Sequence, residues 1–158
     1  MSYRRARGSR GGVLREPADH DPRKPHRILV AITGTVEGQL ALERAIECAS
    51  SSGHELVGLV LEGRLPAAPT SIAEIDDARR TREPFFDTIS ALAIDQAAEH
   101  GIDLQIRRRS GALVRAVCRE AQASEVGLVV IGRPRTILGP ARIASLTYRL
   151  RCPLLIVR

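Results

Sequence analysis

Short β-branched apolar runs alternate with helical patterns from residue 27 to the end of the chain. The run Ile28–Ile32 is apolar throughout, which is typical of a strand buried on both faces. A segment with helical spacing follows over 37–52. The alternation then repeats, with strands predicted at 55–61, 103–109, 127–131 and 153–157 and helices at 71–100, 112–124 and 140–151. This spacing predicts an α/β fold, a doubly wound five-stranded parallel sheet with helices on both faces.

The length and composition of the chain fit one domain with an aliphatic core. Of the 158 residues, 44% are apolar and only 3% are aromatic, which argues against base-stacking surfaces for single-stranded nucleic acid. We expect an α/β domain over residues 27–158. Within it, a Pro-rich loop is predicted at 63–70, and a kink or a second helix start is predicted at Pro84.

The net charge of +6 is concentrated in the N-terminal segment. Residues 1–27 hold eight basic and three acidic residues, so the rest of the chain is close to neutral. This segment is rich in Arg, Gly and Pro and has no apolar run, which predicts a disordered basic tail over 1–26 and not a secretory signal. The tail could touch phosphates, but we do not expect nucleic acid as a partner.

Cysteine spacing and hydropathy indicate a cytoplasmic protein. Cys48, Cys118 and Cys152 show no CxxC spacing, and each is interpreted as a small buried apolar residue in a reducing compartment. The four histidines are scattered, so no metal site is expected. No apolar run approaches the roughly 20 residues that a membrane span needs, so we expect no membrane association.

The ligand crevice of such a sheet lies outside the carboxyl ends of the strands, where the strand order reverses. If the first and fourth strands flank that point, the loops 33–38 and 132–139 face each other. A strand that ends in glycine and feeds a helix directs backbone N–H groups at one anion. The candidate ligand-binding residues in these loops are Thr33, Gly34, Thr35, Gly132, Arg133, Arg135 and Gly139. Ser145, in the helix that follows, is a further candidate because its hydroxyl could reach a phosphate.

Structural interpretations remain open for the same residues. Gly132 could serve packing, Arg133 and Arg135 could be exposed turn cations, and the Thr33 and Thr35 hydroxyls could cap the first helix. Ser145 could face solvent or the previous helical turn. Two neighbouring features carry the same ambiguity: Gly139 with Pro140 could simply begin the last helix, and Arg107 to Arg109 could be a solvated strand end or an anion site.

Motifs of the common hydrolases are missing from the sequence. There is no Gly-x-Ser-x-Gly elbow, no phosphate-binding loop ending in Gly-Lys-Ser/Thr, and no His-Glu-x-x-His. We therefore expect no enzymatic activity.

Several segments of the chain, taken in their order along the sequence, resemble the universal stress protein family. They are the opening strand and turn 26–35, the helix segment Ala41-Leu42-Glu43-Arg44-Ala45, Gly111, Val129-Val130-Ile131-Gly132, and the ending 152–158. The resemblance implies strand order 3-2-1-4-5 in an adenine nucleotide alpha hydrolase-like fold, a homodimer, and ATP or another adenine nucleotide as the ligand. An apolar C-terminal strand at a sheet edge also favours pairing with a second copy.

The nucleotide-binding pattern of that family, G-x2-G-x9-G-[ST], is only partly matched. Gly132 occupies the first position, Arg135 replaces the second glycine, and the final pair falls on Ser145-Leu146 or, with one residue fewer, Ala144-Ser145. Thr33 stands where the resemblance implies an aspartate. Two hypotheses follow: a dimeric regulatory domain in which nucleotide binding is weakened or lost, and a sensor that holds ATP or AMP between the loops 33–38 and 132–139.

Overall fold

The computed structural model describes residues 26–62 and 72–158, with side chains described outside 72–81. The elements are β1 (Arg27–Ile32), α1 (Val36–Ser52), β2 (Glu55–Glu62), α2 (Ile72–Glu99), β3 (Leu104–Ser110), α3 (Leu113–Ala123), β4 (Val126–Gly132), α4 (Gly139–Arg149) and β5 (Leu154–Val157). These bounds agree with the predicted elements to within a few residues. The predicted tail, up to residue 25, and the Pro-rich loop at 63–70 lie outside the described residues.

The five strands form one parallel sheet in the order β3-β2-β1-β4-β5. Strand β1 is central, and its Ile28 lies beside Leu56 of β2 and Leu128 of β4. The predicted fold class and strand order are confirmed. Since the chain order reverses between β1 and β4, the loops that follow these strands are the natural place for a site.

Alternate residues of β1 pack against two different helix layers. Ile28, Val30 and Ile32 face α1 and α2, while Leu29 and Ala31 face α3 and α4. All five side chains are buried, because β1 is covered on both faces. The apolar run that opens the domain is therefore the centre of both halves of the core.

Local sequence explains how α1 begins and ends. The Thr35 hydroxyl accepts a hydrogen bond from the Gly38 N–H at 3.1 Å and so caps the first turn. At the other end, Gly53 adopts φ 71°, and its N–H donates to the Ala49 carbonyl at 2.9 Å. Pro84 lies inside α2, which continues through it as one helix. None of the helices within the described ranges is long and apolar enough to cross a membrane.

Candidate functional site

The two loops predicted to flank a crevice touch each other at its centre. A Cβ atom on Gly132 would overlap the backbone of Glu37 and Gly38, so only glycine lets the end of β4 pack against the first turn of α1. This contact gives Gly132 a packing role. It also separates two clefts at the carboxyl edge of the sheet, one on each side of the first turn of α1.

The first cleft, here called the threonine cleft, has a volume of about 410 Å³. Thr33, Gly34 and Thr35 form one wall, and Phe85 and Ile89 of α2 form the other. The Thr33 and Thr35 hydroxyls lie 2.9 Å apart, and Thr35 also accepts from a backbone N–H. Because the threonine hydroxyls bond to one another and to the helix, the cleft offers a ligand a mainly apolar surface.

The second cleft, here called the arginine cleft, has a volume of about 360 Å³. It is lined by Glu37, Arg133, Pro134, Arg135, Thr136, Pro140 and Arg158. Arg135 forms an ion pair with Glu37, whose side chain is only 14% exposed, while that of Arg135 is 84% exposed. The residue in the place of the second glycine is therefore bound to a carboxylate from the first turn of α1.

Two backbone donors near the arginine cleft are engaged, and one position has no donor. The N–H of Gly139 donates to the Thr136 carbonyl at 2.8 Å, and Pro140 has no N–H. The N–H of Arg133 donates to the Val157 carbonyl at 2.8 Å. These amides do not point at an anion, so the guanidinium groups of the lining are its main charged partners.

Ser145 is not brought to either cleft. Helix α4 already begins at Gly139, so Ser145 lies in its second turn and is half-buried. The nearby Thr147 hydroxyl donates to the Ile143 carbonyl at 2.9 Å, so it bonds to the previous turn. Gly139 packs against the Pro134 backbone.

The structure thus sorts the predicted site residues into four positions. Thr33, Gly34 and Thr35 line the threonine cleft, Arg133 and Arg135 line the arginine cleft, Gly132 and Gly139 pack on backbone, and Ser145 stands apart. Sequence reasoning missed Glu37, Phe85 and Arg158. A glutamate in the first turn of a helix is commonly explained by the helix dipole alone, so nothing local pointed Glu37 toward an arginine in another loop.

The arginine run at the end of β3 has carboxylate partners within the domain. Arg109 lies 3.0 Å and Arg107 3.9 Å from the Glu120 carboxylate of α3, and Arg108 pairs with Asp87 of α2. The hydrogen bond from Arg108 to Asp87 raises the pKa of this arginine. The run is therefore built into ion pairs on both faces of the sheet.

The predicted burial of the cysteines is met by one of the three. Cys118 is buried, while Cys48 and Cys152 are half-buried at the edges of the two core clusters. Burial raises the pKa of the Cys118 and Cys152 thiols, so both stay protonated near neutral pH and are poor nucleophiles.

Comparison with solved structures finds the same fold in universal stress proteins. One such protein in complex with cAMP has a TM-score of 0.65 and 23% identity, over 84% of this chain and 97% of that chain. UspA from Lactobacillus plantarum has a TM-score of 0.64 and 18% identity, over 85% and 99%. A family protein from Arabidopsis thaliana with AMP bound has a TM-score of 0.60 and 16% identity, over 84% and 91%. A comparison with curated proteins finds no match.

At these identities the structural likeness establishes the fold alone. The family itself is established from the sequence, because the model of the Universal stress protein family matches residues 25–158, which is most of the chain. Sequence, strand order and structural neighbours therefore agree: the chain belongs to the universal stress protein family.

Proposed function

We propose that this protein is a non-catalytic, homodimeric regulatory domain of the stress-response type in which nucleotide binding is weakened or lost. The observation that carries the proposal is the ion pair between Arg135 and Glu37 in the arginine cleft. It places a side chain where the family pattern has a glycine and a carboxylate where a phosphate would approach.

Physical chemistry explains why this pair disfavours a nucleotide. A phosphate entering the cleft must displace Arg135 from Glu37 or accept the repulsion of that carboxylate, which is mostly buried and so poorly screened by solvent. The engaged amides of Gly139 and Arg133 remove donors that could compensate. Thr33, in the place of the aspartate, is bonded to Thr35.

The non-catalytic part of the proposal rests on the missing hydrolase motifs and on one contact in the arginine cleft. Glu37 is the one carboxylate side chain among the lining residues described for this cleft, and it is paired with Arg135.

A second candidate function, an ATP or AMP sensor, is favoured by the charge of the arginine cleft. Arg133, Arg135 and Arg158 outnumber the single acid, Glu37, and the apolar threonine cleft lies on the other side of the same helix turn. Structural neighbours include family proteins in complex with cAMP and with AMP bound. A nucleotide could place its base in one cleft and its phosphate in the other only if the Arg135 pair opened.

Titration with ATP, ADP, AMP and cAMP by calorimetry, together with native mass spectrometry of the protein purified without nucleotide, separates the two functions. For the regulatory domain, we expect no co-purifying nucleotide and no binding below millimolar concentration. The double variant Arg135→Gly/Glu37→Gln should bind at least about tenfold more tightly, a gain of roughly 1.4 kcal/mol, because it restores the glycine and removes the carboxylate.

A matched control removes an ion pair elsewhere on the same helix. Arg44→Gln/Glu47→Gln eliminates an exposed pair of α1 and should leave nucleotide affinity unchanged. Micromolar binding by the unmodified protein, lost in Arg133→Ala/Arg135→Ala, would instead establish the sensor.

A further inference from the structure

Charged side chains are segregated between the two helix layers of the domain. Seven exposed arginines lie on the side of α3 and α4, here called the arginine face: Arg107, Arg109, Arg115, Arg119, Arg142, Arg149 and Arg151. Only two acids, Glu120 and Glu125, accompany them among the described side chains of that face. The net charge of the domain is close to zero, yet one of its surfaces is strongly cationic.

The opposite layer has the reverse composition. Its described acids are Glu37, Glu43 and Glu47 of α1, Glu62 of β2, and Glu83, Asp87, Asp95 and Glu99 of α2. The arginines described there are Arg44, Arg82 and Arg108. Negative charge is therefore in excess on the side of α1 and α2, and positive charge is in excess on the side of α3 and α4.

Strand alternation and helix periodicity produce the arginine face. Arg107 and Arg109 point toward α3, where both meet Glu120, whereas Arg108 points toward α2. On α3, Arg115 and Arg119 are exposed and lie one turn apart, with a rise of about 6 Å between them.

The acids of this face remove little of its positive charge. Glu120 is 2% exposed, accepts from the Ser124 hydroxyl at 2.8 Å, and is shared by Arg107 and Arg109. One buried carboxylate thus balances one of two guanidinium groups. Glu125 is exposed beside Arg149 and Arg151, where the three residues line a cleft of about 250 Å³ between α3 and the end of α4.

Two occupants of this surface can be compared. A second copy could dock its acidic layer there, but a contact between two different faces is heterologous and builds rings or open chains of copies, not a two-fold dimer. A polyanion is attracted by the charge of the arginine face alone. Every cation of the face is arginine, whose guanidinium fork suits phosphate oxygens.

Contrary to the expectation from the sequence, we propose that the arginine face binds the phosphate backbone of nucleic acid without sequence readout. We expect no base recognition, because Tyr148 is the one aromatic residue of α4. A single exposed ring cannot form a stacking platform. Binding through phosphates positions a protein on a duplex and carries no sequence information by itself. The proposal is independent of the nucleotide clefts.

The test is fluorescence anisotropy of the full chain on a labelled DNA or RNA duplex of about 20 base pairs, titrated between about 50 and 200 mM salt. We expect micromolar affinity at the low end and a steep loss with salt. The variant Arg115→Gln/Arg119→Gln/Arg142→Gln should reduce the slope of log K against log salt by about 2 to 3, because each lost phosphate contact removes about 0.9.

Two controls locate the interaction. Arg44→Gln removes one arginine from the acidic layer and is compared with Arg119→Gln, which removes one from the arginine face; only the second should weaken binding. A full chain with Arg4, Arg5, Arg7 and Arg10 replaced by Gln isolates the contribution of the tail.

Three outcomes would overturn the proposal. The first is that the tail variant loses all duplex binding while the triple variant keeps the full affinity. The second is that the full chain does not bind the duplex at low salt. The third is that it binds anionic lipid vesicles but not a duplex. Salt-sensitive self-association in sedimentation velocity, with no duplex binding, would assign the face to a second copy instead.

Discussion

At the scale of single residues, Gly132 and Arg135 show how a residue of a nucleotide-binding pattern can take on a structural role. Gly132 matches the family pattern, yet its immediate role is to let β4 approach the backbone of α1. Arg135 departs from the pattern, and its side chain pairs with Glu37 of that same helix turn. Both residues connect the β4 loop to α1, one by packing and one by charge.

Gly132→Ala should therefore lower the free energy of unfolding by about 3 kcal/mol, because its Cβ meets fixed backbone atoms and not a flexible side chain. Urea denaturation followed by circular dichroism measures this change. Gly53→Ala is the control, since no atom lies within 4 Å of its Cβ and only the positive φ of 71° penalises alanine. The control should cost about 1 kcal/mol. Equal losses in the two variants would show that the close approach carries no extra cost.

At the scale of elements, the sequence predicts the strands and helices well, whereas it encodes only part of the contacts that shape the two clefts. A short apolar run such as Ile28–Ile32 must be covered on both faces, and its length and β-branched residues distinguish a buried strand from a helix. The ion pair between Arg135 and Glu37 joins the loop after β4 to the first turn of α1, and no local pattern encodes it. The position of Ser145 depends on where α4 begins, and a start at Gly139 places this residue away from both clefts.

Helix α1 has a side-chain cap at its N-terminus. Thr35 accepts from the Gly38 N–H, whereas α3 and α4 have no side-chain cap. Thr35→Ala should cost about 1 kcal/mol of stability, which urea denaturation measures as a lower midpoint at constant slope. Thr35→Ser keeps the hydroxyl and should stay close to the unmodified protein. If serine were as damaging as alanine, the methyl group in the threonine cleft would be the cause.

At the scale of the whole molecule, the strand order leaves two sheet edges with different chemistry. The β3 edge presents Gln105, Arg107 and Arg109, whose exposed polar side chains disfavour pairing with another sheet. The β5 edge presents Leu154–Val157, four half-buried apolar residues. The two helix layers also differ, because the layer of α3 and α4 carries the arginine face and the layer of α1 and α2 carries most of the described acids. The domain therefore has one apolar edge suited to a second copy and one cationic face suited to an anion.

The homodimer that we propose uses the β5 edge. Ile156→Lys introduces a charge into this half-buried strand and should convert the dimer into a monomer, because a desolvated lysine at an apolar contact is costly. Leu155→Lys tests the alternate face of the same strand, since Leu155 packs toward α1 and Ile156 toward α3 and α4. Multi-angle light scattering gives the mass of each variant.

The matched control places the same charge on the other edge. Gln105→Lys adds a lysine to an exposed position of β3 and should leave the dimer intact. Circular dichroism separates dissociation from unfolding, because a folded monomer keeps its helical signal. A dimer that survives both β5 substitutions in folded protein would place the interface on another surface, and loss of the dimer in Gln105→Lys would assign it to the β3 edge.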